Sequence, residues 1–590
     1  MYDFPYKNVV MCALGKIPAD LVIKNANVIN VFTEEIIECD VAIKDGYVCR
    51  IGKTNDIIGG STKIVNAHGY YLAPAFIDAH IHIESSMITL TEFAKAVIPH
   101  GTGTIITDIH ELANVLGVYA IDIILEEAKN IPLNVFIMLP SCVPALENKE
   151  TSGAKITAQD LEKYIKGERV LGLGEMMNYP GVLNLDEEVM KKIQLSQKEN
   201  KVVDGHAPLL LGKELQAYIS VGIHSDHEST TSEEVLEKLR YGMFVMFREG
   251  SVSKSLHLIK TILERRLSLE RCIIVTDDRH PDDLINEGHL EPALRKVIEF
   301  GVDPIKAIKM VTIIPALAFR IPKIGAVAPG YKADVVLLDN LDKMNIKKVF
   351  LGGRLVASDG KLVVDIPKPK YPSRVLRTIN VKCIPTSDDL LIKVPFKAEE
   401  VFINVIVARD VSLITERAKE KVHVRNGVVL PIPERDILQI VVVERHKKTG
   451  NIGKGFISGF GLKTGALASS IAHDSHNIVA VGANLKDLQI AIKRVIEIHG
   501  GIVVVANGKI EAELSLPFAG LMSLESVEVV ASKLELVREK AKELGCKLTR
   551  PFMTLSFMAL PVIPKLKITD KGLFDVEKFQ FISVIEPIDS

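Results

Sequence analysis

The sequence runs to 590 residues, 47% hydrophobic and 25% charged, with 72 basic against 74 acidic side chains and a net charge of -2. Such a chain is too long for one ordinary core and too apolar for extended disorder. Its balanced charge gives no global attraction to nucleic acid or to an anionic membrane, so a small-molecule partner is expected. The seven cysteines form no CxxC, which fits neither a disulfide framework nor a thiolate metal site and leaves a reducing cytoplasm as the simplest compartment. The opening MYDFPYKNVV has no basic segment leading into an apolar stretch, and no window reaches ~18 uninterrupted apolar residues, so neither signal peptide nor membrane span is expected.

In chain order, residues 20–66 read as short alternating β-branched strands with turns at polar and glycine positions such as Asp45-Gly46. From about residue 72 the texture changes to apolar runs, each followed by a polar cluster and a segment of helical period. Eight such runs occur: APAFIDAHIH, GTIITDIHE, LNVFIMLPS, RVLGLGEMM, KVVDGH, VGIHSDHE, FVMFREGS and CIIVTDD. Eight β/α units over roughly 250 residues predict an α/β fold of the (β/α)8 TIM-like barrel type. After a helical run, GAVAPGYKADVVLLDN and IKKVFLGGRLVASDG return to strands and are expected to complete the first β-domain. The predicted division is therefore a discontinuous β-domain over 1–72 plus 324–372, a barrel over 73–323, and a C-terminal α+β domain over 376–590. The proline-bearing DIPKPKYPSRV marks the last boundary.

The rare polar residues fall at the strand ends. They are His80, His82 and Glu84; Asp108, His110 and Glu111; Glu175; Asp204 and His206; His224, Asp226, His227 and Glu228; Arg248 and Glu249; and Asp277, Asp278 and His280. A barrel gathers such positions at one rim, where active sites lie. Singly, each is as well explained as a hydrogen-bonded loop residue, and the HxH pair as two histidines sharing a polar pocket. Jointly, an HxH on the first strand, a carboxylate on the fourth, histidines on the fifth and sixth and an aspartate on the eighth supply six nitrogen and oxygen ligands without sulfur. That is enough for two divalent metals sharing a bridging carboxylate. Glu84 lies two residues past the pair, on the same side of the strand if the extended geometry continues. The HxE at 82–84 matches half of the cytidine-deaminase zinc motif, whose PCxxC half is absent from the sequence.

With PAFIDAHIHIESSM, TDIHELANVLG, GEMMNYPGV, DGHAPLL, SDHESTTSEEVLEKLRYGMFVMFREGS, TDDRHPDDL and GFGLKTGALASSIAHDSHNIVAVGAN, the chain resembles the amidohydrolase superfamily and, within it, the prokaryotic adenine deaminases. The resemblance implies a β-sandwich flanking the barrel and a binuclear centre held by His80, His82, Glu175, His206, His227 and Asp277. Glu175 stands where many relatives place a carboxylated lysine, and His227 is favoured over His224. Of the last pair, Asp277 is preferred because it directly follows the apolar CIIVT. The implied activity is hydrolytic deamination of adenine to hypoxanthine and ammonia, in purine salvage, by hydroxide generated at two divalent metals. Manganese or iron is favoured, with zinc the other choice. Asp277, Glu84, His110, Glu111 and Asp278 are the catalytic candidates, and Arg248, Glu249, Asp226 and Glu228 the candidates for holding the purine. A homodimer or larger assembly is expected. The alternatives are another cyclic amidohydrolase, of dihydroorotase or hydantoinase type, and a scaffold that has lost catalysis.

Two further features stand apart. Residues 462–479 concentrate Lys463, Ser469, Ser470, His473, Asp474, Ser475 and His476 between apolar strands; closure over the barrel mouth or a subunit contact suits them better than a catalytic triad, which is assembled from distant positions. His289 reads as a surface or loop histidine.

Overall fold

The barrel strands are short aliphatic runs buried on both faces, because helices cover the outside and side chains fill the interior. In the computed structural model, which describes residues 6–410 and 412–588, they are β1 (Phe76–Ile81), β2 (Thr102–Asp108), β3 (Asn134–Leu139), β4 (Val170–Met176), β5 (Val202–Gly205), β6 (Ser225–Asp226), β7 (Phe244–Arg248) and β8 (Cys272–Val275). The first five form one parallel sheet in sequence order and the last three another. Backbone bonds cross both seams. His224 N donates to Val203 O (3.1 Å), and Asp277 N donates to His80 O (3.0 Å), so the sheets curl into a TIM-like domain.

Helix limits follow local chemistry. Gly117, at φ 63°, separates His110–Leu116 from Tyr119–Glu127 in what reads as one helical run. Ser232–Arg240 begins with a capping box, in which Thr231 Oγ1 accepts from Glu234 N and Glu234 Oε2 accepts from Thr231 N (2.9 Å).

Strands from before and after the barrel pair in one nine-stranded sheet, where Tyr71–Pro74 lies between Leu21–Asn30 and Val335–Leu338. Its hairpin at Asp45 and Gly46 has positive φ at both residues (49° and 81°), as a two-residue turn matching strand twist requires. A helix, Tyr6–Ala13, docks on this sheet through Cys12 and through Arg50 Nη2, which donates to Ala13 O (2.6 Å).

The C-terminal part is built on a second nine-stranded sheet. Along Leu438–Val443 the side chains alternate: Ile440 and Val442 join the apolar cluster continuous with the barrel core, while Val441 and Val443 pack against Leu488, Ala491 and Ile492 of helix Leu485–Glu497. Polar contacts reinforce the docking. Arg538 Nη1 donates to Asp282 Oδ2 (2.5 Å) and Arg550 Nη2 to both oxygens of Asp283 (2.9 Å), just beyond β8. Among the described residues no helix is long and apolar enough to cross a membrane.

Candidate metal and catalytic centre

His80 is the penultimate residue of β1 and His82, just past its end, is still extended, so both rings face the barrel mouth. Each Nδ1 has an acceptor: Asp204 Oδ2 for His80 and Asp108 O for His82, both at 3.0 Å. Those bonds place the protons on Nδ1 and leave both Nε2 lone pairs converging at 3.2 Å. Two lone pairs repel at that separation unless a proton or a metal ion lies between them. Bonds of about 2.0–2.2 Å from one ion to two ligands span about 3.0–3.4 Å between the ligands, which matches the distance found.

Carboxylates complete the cage. From His82 Nε2, Glu175 Oε1 and Asp277 Oδ1 each lie 3.2 Å away, and Asp277 Oδ1 is 3.5 Å from His80 Nε2. The other oxygen of Glu175, Oε2, is 2.5 Å from His206 Nδ1 and 3.2 Å from His227 Nε2. Glu175 at the end of β4 therefore stands between two groups of ligand atoms, one drawn from β1 and the β8 end and one from the β5 and β6 ends. The donors are imidazole and carboxylate, a set suited to borderline and hard divalent metals, and the residues present fit such ions.

Asp277 adopts φ 57°, a left-handed conformation that turns the chain sharply out of β8. Its Oδ1 faces the histidines while Arg248 Nη1 holds Oδ2 at 2.6 Å. The same guanidinium engages Glu228, with Nη2 donating to Oε2 at 3.0 Å and Nη1 to Oε1. Asp278 points along the rim, accepting from Ser85 Oγ at 2.5 Å. His110 Nδ1 is 3.4 Å from Asp108 Oδ1 and 3.4 Å from Glu175 Oε1.

Several expectations need correction. The extended geometry does not continue to Glu84: the chain enters a 3-10 turn at Ile83–Ser86, and the buried Glu84 accepts from Leu112 N (3.0 Å). Two candidates for purine contacts have ionic partners of their own, although Glu249 keeps a buried Oε2 without one. Asp226 accepts from Ala207 N, Lys238 Nζ, Glu228 N and Ser229 Oγ, which fills a carboxylate. Glu249 faces Lys296 Nζ at 2.8 Å and Lys254 Nζ at 3.2 Å. His289 lies in a loop, as one of its two readings has it, but not at the surface: it is buried, bonded to Thr102 Oγ1 (2.7 Å) and 3.1 Å from Asp78 Oδ2. His224 bonds Val203 O through Nδ1 (2.8 Å) and packs on Phe244 and Phe319, outside the ligand groups. Sequence reasoning assigned no task to Asp108 and Asp204, the carboxylates that orient β-strand-end partners. Their positions at the ends of β2 and β5 were the available signal.

The cluster is one of negative fields meeting imidazoles. Burial opposes protonation of His80, but the Asp204 and Asp277 carboxylates outweigh it and raise the ring to about 10. Burial likewise works against ionised Glu175 and Asp277, yet His206 beside the first and Arg248 beside the second hold both carboxyls well below the usual range. Away from these ligand pairs the balance reverses, and burial followed by the neighbouring Glu111 pushes Glu84 up to about 7. A site that stabilises positive charge this strongly favours cations, which compete with protons for the same nitrogens.

Comparison with known proteins identifies the family. The amidohydrolase family model matches residues 71–356 and the adenine deaminase C-terminal domain model matches 412–580. Adenine deaminase of Dehalococcoides mccartyi is 44% identical over 574 residues, 97% of this chain and 98% of the relative. That of Clostridium acetobutylicum is 45% identical over 573 residues, again 97% and 98%. A crystal structure of an adenine deaminase aligns with TM-score 0.43 and 18% identity, covering 57% of this chain and 99% of that one. With identity of this level sustained over nearly its whole length, the chain belongs to the adenine deaminase family of amidohydrolases.

Proposed function

We propose that the protein hydrolyses adenine to hypoxanthine and ammonia at the barrel mouth, with purine salvage as its setting and the cytoplasm as its compartment. The observation that carries the reading is the pair of converging His80 and His82 lone pairs, backed by a carboxylate, Glu175, that reaches a second histidine pair. His80, His82, Glu175 and Asp277 would hold one divalent ion, and Glu175, His206 and His227 the other. This thiolate-free set accommodates manganese, iron or zinc, and the family resemblance favours manganese or iron. When bound, such ions supply an acidified water near neutral pH and neutralise developing negative charge.

The chain's own residues supply the rest. Asp277, gripped by Arg248 on Oδ2, presents Oδ1 to the reacting centre, where it accepts the water proton and returns it to the departing amino group. Arg248 and Glu228, locked to each other, form a rigid polar wall for one edge of the planar base. Glu84, His110, Glu111 and Asp278, buried near the same rim, would offer hydrogen-bonding groups to the ring nitrogens. Burial of this ring keeps bulk water from competing for the base.

The test is ammonia release from adenine by protein loaded with manganese or iron, beside a Glu175→Gln variant with its metal content measured. Turnover by the wild type and loss of both activity and metal in the variant is expected. A wild type inert toward adenine with either metal would refute the substrate, and a variant retaining two ions and full activity would refute the bridging role.

A further inference from the structure

Glu111 is buried at the barrel rim, and among the described residues the only side chains within ion-pair distance of its carboxylate come from the C-terminal sheet. His473 Nδ1 lies 3.0 Å from Oε1, and His476 Nε2 lies 3.7 Å from Oε2. His476 Nδ1 accepts from Ala472 N (3.3 Å), which puts that ring's proton on Nε2, toward Glu111. The His473 ring is held in plane by Phe557, stacked at 4.5 Å and 14°.

The loop that carries both histidines is itself clamped. His446 Nε2 bonds Ser475 O (2.6 Å), Arg445 Nε donates to His476 O, and Asn477 Nδ2 donates across to Thr151 O of the barrel (2.9 Å). Asp474, between the two histidines, is 3% exposed, and its Oδ2 has no hydrogen-bond partner and stands 3.9 Å from His110 Nε2. A buried ion pair adds little net stability over an apolar contact of equal volume, so stability alone does not account for placing one here. What it does provide is a fixed carboxylate.

We infer that residues 472–477 are a working part of the active site and that His473 is a positioning residue, holding Glu111 in the orientation in which that carboxylate meets the base. The inference rests on the reading that the barrel mouth deaminates adenine. It makes the site a two-domain one, with barrel residues acting on the substrate and the C-terminal sheet aligning them.

The test is steady-state deamination of adenine by metal-loaded full-length wild type, His473→Leu, His473→Asn, Glu111→Gln and the Glu111→Gln/His473→Leu double variant, with metal content recorded for each. His473→Leu is expected to lower kcat/KM about tenfold or more at wild-type metal content. His473→Asn, whose amide nitrogen falls near the Nδ1 position, should recover most of the loss, and the double variant should match Glu111→Gln alone. His473→Gln, which moves the donor, carries the same expectation as leucine and decides the matter if the leucine variant does not fold. Unchanged kcat/KM in the His473 variants, a loss that adds fully to that of Glu111→Gln, or no recovery with asparagine would overturn the inference. A wild type that does not turn over adenine would instead overturn the reading on which it rests.

Discussion

A single methyl group at Gly174 should disable the centre without touching a ligand. A Cβ built there would sit 2.0 Å from Asp108 Oδ2, inside the 3.0 Å that real Cβ contacts respect, so the buried Asp108 carboxylate must retreat by about 1 Å or more. That carboxylate accepts from Glu175 N at 2.9 Å and from His110 N at 3.1 Å. Stranding the Glu175 N–H costs about 1–3 kcal/mol, and overpacking adds about 1–3 kcal/mol. A bridge displaced by about 1 Å costs on the order of 100-fold in rate. Gly174→Ala is therefore expected to lose about 2–6 kcal/mol of stability and about two orders of magnitude in kcat/KM. Gly60→Ala, where a Cβ meets nothing within 4 Å, is the control. Thermal melting and adenine kinetics read both effects, and a Gly174→Ala protein within twofold of wild type that melts unchanged would refute the reasoning.

Asp204→Asn removes the charge that fixes His80 Nδ1 and should weaken metal retention about 10–100-fold, checked by elemental analysis after graded chelation; wild-type retention would count against it. Lys238→Met strands Asp226, which is fully buried and bonded to Nζ at 2.7 Å, and should destabilise by about 3–5 kcal/mol, part of it recovered by adding Asp226→Asn in denaturation measurements. Burial lowers Lys567 to about 7, against about 10.4 unfolded. Below pH ~7 both states are charged and the burial penalty is complete; between ~7 and ~10 the unfolded chain binds the extra proton, so stability rises with pH. Melting midpoints across that window should rise more steeply for wild type than for Lys567→Met, and parallel curves would contradict the shift.

The eight strands were legible because a buried parallel strand is a short aliphatic run that must end in polar residues where the active rim begins. That rule marks His80, His82 and Glu175 as strand-end polar residues; their reading as ligands needed the joint pattern and the family resemblance. Which rim residue faces inward depends on the local turn: Glu84 leaves the strand in a 3-10 turn, whereas Asp277, preferred over Asp278 for its place directly after the apolar run, faces the histidines through a left-handed kink. Asp226 and Glu249 looked equivalent to Glu228 along the chain, yet lysines on neighbouring helices, Lys238 and Lys296, draw them away. His289 is buried by Thr102 and Phe93, partners far off in sequence. The pairing of Glu111 with His473 had no local signal, since their elements meet only when the C-terminal sheet docks.

That docking also orders events in time. Every candidate ligand lies at or before Asp277, whereas the C-terminal histidines that meet the barrel rim at Glu111 begin at His473. At ~5–20 residues per second, a ribosome needs roughly 10–40 s to make the intervening two hundred or so residues. The candidate ligands are thus all synthesised before the histidines that pair with Glu111 exist.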